Sequence, residues 1–345
     1  MRARIDAACL LFGLVAGCSD ATTTPPPPWR NEVWYEMDAG NGPSPRMGHA
    51  LVFAADRNRL VLFGGYAILT DTESVQPYTY LDDTWEWSGA AWERLQPATK
   101  PRGRAGHALA FDSARGRVVL FGGSAGTFQP LGDTWEWDGQ DWRQIRPVVS
   151  PPPRAAAGLA YDEVRRETIL CGGLDDTAPG YRDTWSYDGS TWRRLEASPT
   201  PPLDLARLVF DRSAGCILAL GECLDDPAQL LHGATFRDGV WTAVPPPVRD
   251  TGTRLLGAAP RASFQDVVVL LQPRTEPASS PTTWLWQRGT WRQSAASGPQ
   301  ARIGTTLAGF HNVAVLLGGK ESHPAGPPET SLLRDLWIFM TRGSL

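Results

Sequence analysis

Residues 104–142 read RAGHALAFDSARGRVVLFGGSAGTFQPLGDTWEWDGQDW. The stretch holds two apolar runs, a Gly-Gly, an aromatic-rich run and a closing tryptophan. Its periods are those of strands. HALAF at 107–111 predicts a first strand, a. A polar turn from Asp112 to Gly116 leads to RVVLF at 117–121, strand b, whose near-continuous apolar run calls for burial on both faces. Gly122-Gly123 ends it, where glycine permits positive φ and close backbone approach. A variable loop follows. DTWEW at 133–137 predicts strand c, with Trp135 and Trp137 on one face. Asp138-Gly139 signals a turn, and strand d starts near Trp142 and ends before Pro147.

The rest of the chain is largely copies of this unit. One aromatic column is Trp85, Trp135, Trp185, Trp284 and Trp337, with Ala234 in the fourth copy. A second is Trp87, Trp137, Tyr187, Phe236, Trp286 and Phe339. The third, Trp92, Trp142, Trp192, Trp241 and Trp291, is spaced 50, 50, 49 and 50. Gly-Gly recurs at 64–65, 122–123, 172–173 and 318–319; the fourth copy has Gly221-Glu222 and the fifth has Gln272-Pro273. The copies run over 45–97, 101–147, 153–199, 202–245, 251–295 and 301–340.

A four-stranded antiparallel unit repeated six times has two main solutions, a solenoid or a propeller. The terminal copies decide between them. The sixth has strands a to c, ending at LWIF (336–339), and lacks its third-column tryptophan. The missing strand lies at the other end of the chain, VWYEM at 33–37, just before the first copy. A solenoid has no use for that split, whereas in a closed ring the N-terminal strand completes the last blade. The expected fold is all-β, a six-bladed propeller of four antiparallel strands per blade over residues 33–345.

The order R-x-G-H, apolar strand, Gly-Gly, aromatic strand, Trp resembles the kelch repeat over roughly residues 33–340, within the galactose-oxidase central-domain superfamily. Copies four and five depart from it: Leu203 stands where the leading arginine is expected, and the Gly-Gly is altered or gone. The resemblance implies that strand a is innermost. It also implies that arginines at the start of this strand contact ligand carboxylates in members that bind acidic peptides.

The first residues predict export. Arg2 and Arg4 precede an apolar run from Ala7 to Ala16, and LVAGC at 14–18 resembles a bacterial lipobox. Residues 1–17 are read as a lipoprotein signal peptide and Cys18 as the site of lipidation, palmitate included. Residues 18–32 are a Thr/Pro-rich tether. The expected address is the cell envelope, lipid-anchored on the periplasmic side or the cell surface, since a multiply acylated cysteine anchors stably.

The remaining composition excludes more than it assigns. Net charge is −4 from 33 basic and 37 acidic side chains, with no long block of one sign, so no nucleic-acid partner is implied. No CxxC or Cys/His cluster suggests a metal, and no cofactor is expected. Cys216 and Cys223 end one predicted strand, roughly 23 Å long at ~3.3 Å per residue, too far for a direct bridge. A bridge from Cys223 to Cys171 is left open.

Strands a and c run one way and b and d the other. The starts of a, the ends of b, the d-to-a linkers and the long b-to-c loops therefore share one face, the expected binding face. Arg46, Arg104, Arg154, Arg254 and Arg302 open strand a there. A guanidinium fork suits a carboxylate, so these arginines are candidate ligand contacts at the channel mouth. Alternatively they hydrogen-bond loop carbonyls or pair with the repeated Asp83, Asp133, Asp183 and Asp335. His49 and His107 occupy matching places and are read as packed residues. Asp175-Asp176 and Asp225-Asp226 are read as solvated turns rather than calcium ligands. No catalytic set is found, and the chain is read as a membrane-anchored binding scaffold for a protein or carbohydrate ligand. The alternative is a carbohydrate-active enzyme of the sialic-acid mutarotase or galactose-oxidase-like kind.

Overall fold

The computed structural model describes residues 32–341 apart from 69–77, 127–128, 176–179, 197–202, 224–231, 246–260, 265–266, 273–281, 301 and 322–331. The segments read as signal peptide and tether, with Cys18, lie outside the described residues, as do Arg254, Asp176 and Asp225-Asp226.

Blade two carries the pattern of the opening stretch. Its strands are Ala108–Asp112, Arg117–Phe121, Thr134–Trp137 and Trp142–Ile145. They pair antiparallel in the order a-b-c-d, with Ala108 opposite Phe121, Phe121 opposite Thr134 and Thr134 opposite Ile145. Blades one, three, four and five repeat the same four-stranded sheet. Strand b is apolar because both of its faces meet neighbouring blades: Val118, Val119, Leu120 and Phe121 are all buried. Blade one adds a small hairpin, Tyr66–Ile68 with Tyr78–Tyr80, above its sheet.

Blade six is closed by the N-terminal strand. Val33–Met37 pairs antiparallel with Leu332–Met340, from Val33 opposite Met340 to Met37 opposite Leu336. Trp34 thereby lies opposite Phe339, as Trp142 lies opposite Trp137 and Trp192 opposite Tyr187. It is the sixth member of the third column. The inner strands, Ala50–Ala54, Ala108–Asp112, Gly158–Asp162, Leu205–Asp211, Arg261–Phe264 and Thr306–Phe310, each touch the next, and the last touches the first. The ring is closed around a central channel.

The core sits in the seams between blades rather than at the centre. Ala54, Val61 and Phe63 of blade one pack with Val118, Leu120, Trp137 and Trp142 of blade two. Val269 and Leu285 of blade five pack with Trp34, Leu316 and Phe339 of blade six.

Each seam also carries one designated polar contact. The third-column indole donates to a threonine in strand c of the preceding blade: Trp142 to Thr84 at 3.0 Å, Trp192 to Thr134 at 2.9 Å and Trp241 to Thr184 at 2.9 Å. Trp34 donates likewise to Thr283 at 2.9 Å. Where the chain has no such threonine the bond is missing. Gly233 takes the place before Trp291, and Leu336 the place before Trp92. The Nε1 atoms of Trp291 and Trp92 are buried without an acceptor among the described residues.

Candidate functional site

The arginines that open strand a are inside the protein. Arg46, Arg104, Arg154 and Arg302 are 0–2% exposed. Each forms the same clasp at the loop-bearing end of its blade. The guanidinium of Arg104 donates to both carboxylate oxygens of Asp133 at 2.6 and 2.8 Å, to the carbonyl of Gly122 at 2.9 Å and to that of Arg102 at 3.1 Å. Arg46 makes this set with Asp83 and Gly64, Arg154 with Asp183 and Gly172, and Arg302 with Asp335 and Gly318. The aspartate also accepts the indole N–H of the first aromatic column, at 2.7 Å in blades one, two, three and six.

The clasp explains why four sequence features recur together: Arg, the first Gly of Gly-Gly, Asp and the first-column Trp are bonded to one another. The Gly–Gly pair adopts positive φ, 66° and 97° at Gly122 and Gly123. A Cβ on Gly122 would lie 2.5 Å from the Arg154 carbonyl oxygen of the next blade. Burial pushes the carboxyls of Asp83, Asp133 and Asp183 up, but the guanidinium and indole donors outweigh it and hold them below the usual carboxylate value. A ligand carboxylate could reach these forks only by displacing the aspartates.

Blade four lacks the clasp arginine: Leu203 stands in its place, its carbonyl against Gly172 as the Arg154 carbonyl is against Gly122. Leu203 aligns with the leading arginines in sequence, yet the backbone role falls to Asp204. Its carbonyl accepts from Gly173 N–H at 2.8 Å, as the Arg154 carbonyl accepts from Gly123 at 3.0 Å. Strand a of blade four is continuous from Leu205, without the interruption that separates the bridge at Ala105 or Ala155 from the strand that follows in blades two and three. Asp204, fully buried, takes a bidentate fork from Arg182 of blade three at 2.7 and 3.0 Å, so the polarity of the clasp is reversed.

Two residues beyond each clasp arginine, a run of backbone bonds links one inner strand to the next. Gly48 N–H donates to Gly304 at 3.0 Å, Gly106 to Gly48 at 2.8 Å and Ala156 to Gly106 at 2.8 Å. All four residues have positive φ, which costs Ala156 strain that the glycines avoid. Among the described residues the run ends at Ala156, beside blade four.

His49 and His107 are buried against the Gly-Gly of the preceding blade, His107 also edge-on to Phe63 with ring centroids 5.4 Å apart. Burial, with Arg46 beside it, pushes the His49 imidazole down to about 3; burial, with Arg104, pushes His107 well below its usual value. Both are neutral packing residues of the seam. Asp175 accepts from the Tyr181 hydroxyl at 2.6 Å. Among the described residues no three His, Cys, Asp or Glu side chains converge. Cys171, Cys216 and Cys223 are free thiols, and burial raises Cys171 to about 12.

What the loop-bearing face offers to solvent lies outside the clasps. The hairpin of blade one groups Tyr66, Tyr78 and Tyr80, with Tyr66 and Tyr78 edge-on at 5.2 Å and Tyr78 half exposed. The Tyr80 hydroxyl donates to the Gly126 carbonyl of blade two at 2.9 Å, tying the hairpin to the neighbouring loop. A recess of about 690 Å³ opens beside the closing strand, lined among others by Glu36, Asp38, Gln300, Arg334 and Trp337. Sequence reasoning passed over the seam threonines. The Thr-Trp pairs signal them.

The family model described as KLHDC2/KLHL20/DRC7 Kelch-repeats domain matches residues 29–210, a little over half of the chain. The match takes in the closing strand, all of blades one to three and strand a of blade four. It therefore covers three of the four blades in which the Arg–Asp clasp is seen.

Proposed function

The chain belongs to the KLHDC2/KLHL20/DRC7 kelch-repeat family, and on that premise we propose that it is an extracytoplasmic interaction scaffold. In this reading a lipid on Cys18 tethers it to the envelope, and it holds a protein partner on its loop-bearing face. Kelch domains generally mediate protein interactions. The observation that carries the reading is the contrast between the two layers of that face. The clasps below are nearly identical in blades one, two, three and six, while the segments above them differ in length and chemistry. A rigid, repeated base supporting unlike loops is how a scaffold acquires specificity. On this reading the arginines do not bind the partner; they hold the loops that do. Tyr78 is the best-placed contact, since tyrosine brings large area at small entropic cost.

The test is photo-crosslinking in cells, with a crosslinking amino acid at Tyr78 on the loop face and at Val164 on the opposite face, where it is 67% exposed. A discrete protein adduct from position 78 alone is expected. Adducts from both positions alike, or from neither, overturn the reading. For the anchor, the mass of the mature N-terminus is expected to show a lipid-bearing Cys18, and Cys18→Ala is expected to release the protein from the membrane fraction. An unmodified start at Ser19 or beyond would sink the lipoprotein claim.

A further inference from the structure

The linkers from strand d of one blade to strand a of the next have one length after blades six, one and two: Met37, Leu95 and Ile145 stand equally far in sequence before a clasp arginine. One position in these linkers decides what lies over the start of strand c. It is Lys100 after blade one, Ser150 after blade two and Gly42 after blade six. Lys100 reaches back to pair with Asp82 at 2.8 Å. The Ser150 hydroxyl donates to the Gly132 carbonyl at 3.4 Å. Asp82 and Gly132 each precede the clasp aspartate of their blade, and in blade six that place belongs to Arg334.

Gly42 has no side chain with which to reach Arg334. It has no room for one either, since a Cβ there would lie 2.8 Å from the Trp92 ring. Arg334 is exposed and has no hydrogen bond or ion pair among the described residues. The space left uncovered is the recess of about 690 Å³ beside the closing strand, within the size range of small-molecule sites.

The lining of the recess is specific to this blade. Opposite the first-column tryptophan, strand d holds Arg94 in blade one, Gln144 in blade two and Arg194 in blade three, but Glu36 in blade six. Asp38 follows just beyond the strand, and Gln300 comes from the linker on the other side. Trp337 adds an indole that is only partly buried. The clasp residues Arg302 and Asp335 also border the recess, but they satisfy each other.

What faces the recess is therefore two carboxylates, a guanidinium, an amide and an aromatic ring. An anion would be opposed by Glu36 and Asp38, and a cation by Arg334. A neutral polyhydroxylated ligand can use all five groups. Carboxylates accept from its hydroxyls, the guanidinium and amide donate to them, and the indole covers an apolar ring face. We infer that the recess over blade six is a carbohydrate-binding site, which takes a short neutral saccharide. It uses none of the residues assigned to the protein partner.

Saturation-transfer NMR on the full chain tests it. The probes are cellobiose, maltose, lactose and N,N′-diacetylchitobiose, with sialyllactose as the charged comparison. At least one neutral probe is expected to give a saturable signal with a Kd of about 1 mM or tighter. Arg334→Ala and Gln300→Ala, at exposed side chains, should each weaken that binding at least fivefold and leave Tm unchanged. Glu36→Arg, which installs the residue of blades one and three, should abolish it. Gln144→Ala, at the matching place in blade two, should have no effect. If no neutral probe binds, if sialyllactose alone binds, or if binding survives intact in both Arg334→Ala and Gln300→Ala, the proposal is overturned.

Discussion

The indole of Trp34 donates to the hydroxyl of Thr283 at 2.9 Å across 249 residues of sequence. The bond is the same one that Trp142 makes with Thr84 and Trp192 with Thr134. A residue from the extreme N-terminus of the propeller thus stands in the seam as if it belonged to the last repeat. Thr283→Val keeps the shape of the site and leaves that indole N–H buried without an acceptor. A loss of about 1–3 kcal/mol is expected, measured by denaturant unfolding. Deletion of residues 33–37 should do far more, since it exposes Leu336, Ile338 and Phe339 along a bare strand edge.

Trp142 and Trp291 hold the same position in their blades, yet among the described residues only Trp142 has an acceptor. Replacement by phenylalanine separates their contributions. Trp142→Phe leaves Thr84 buried and unpaired, whereas Trp291→Phe removes a donor that was already unsatisfied. The first is expected to be more destabilising by about 1–2 kcal/mol. Equal losses from matched denaturation curves would show that the seam bond contributes nothing.

Arg104→Met removes the cation from a clasp whose aspartate also supports Trp135. Asp133 keeps some contact with solvent, which moderates the cost of leaving it unpaired. Destabilisation of about 3 kcal/mol is expected, at the low end for a broken buried pair. The double variant Arg104→Met with Asp133→Asn should recover part of it. A double variant as unstable as the sum of the two single ones would show that no coupling exists between the partners.

Acid should weaken the fold before the carboxylates titrate. His49 and His107 are neutral in the folded protein, with pKa values far below the ordinary 6.5. The unfolded chain therefore binds more protons than the native one once the pH drops under about 6.5. Their contribution is complete above that value and falls as pH declines, by about 1.4 kcal/mol per pH unit for each histidine. The clasp aspartates, with lowered pKa values, lose their contribution only in more acidic solution. Stability measured by urea between pH 6.5 and 4.5 should slope accordingly. His49→Thr and His107→Ala, which install the residues of blades six and three at that place, should each flatten the slope. An unchanged slope in both variants would mean that other groups govern the acid limb.

The architecture was readable because repetition turns one local pattern into six, and Trp34 at the wrong end of the chain betrays closure. The clasp was half readable. Arg104, Gly122, Asp133 and Trp135 recur as a set, but their spacing in sequence does not say that they meet, and a guanidinium at a loop end reads equally as bait for a ligand. At blade four the sequence showed that Leu203 replaces the arginine, but not that the Gly173 N–H would bond to the next residue, Asp204, because that depends on strand a running unbroken from Leu205. The seam threonines escaped notice because Thr84 reads as an ordinary strand residue until its indole partner, 58 residues away, is brought against it.

The closing strand also sets a timetable. Val33–Met37 is among the first parts of the propeller to be synthesised and its partner, ending at Met340, among the last. Five blades can begin to pack, each on its predecessor, while the opening strand still has nothing to pair with. Ring closure then requires the longest loop the chain can form, so it should be the late and slow step of folding. Until the last strand docks, the folding protein carries two unsatisfied edges, and it is in that interval that it most needs protection from aggregation.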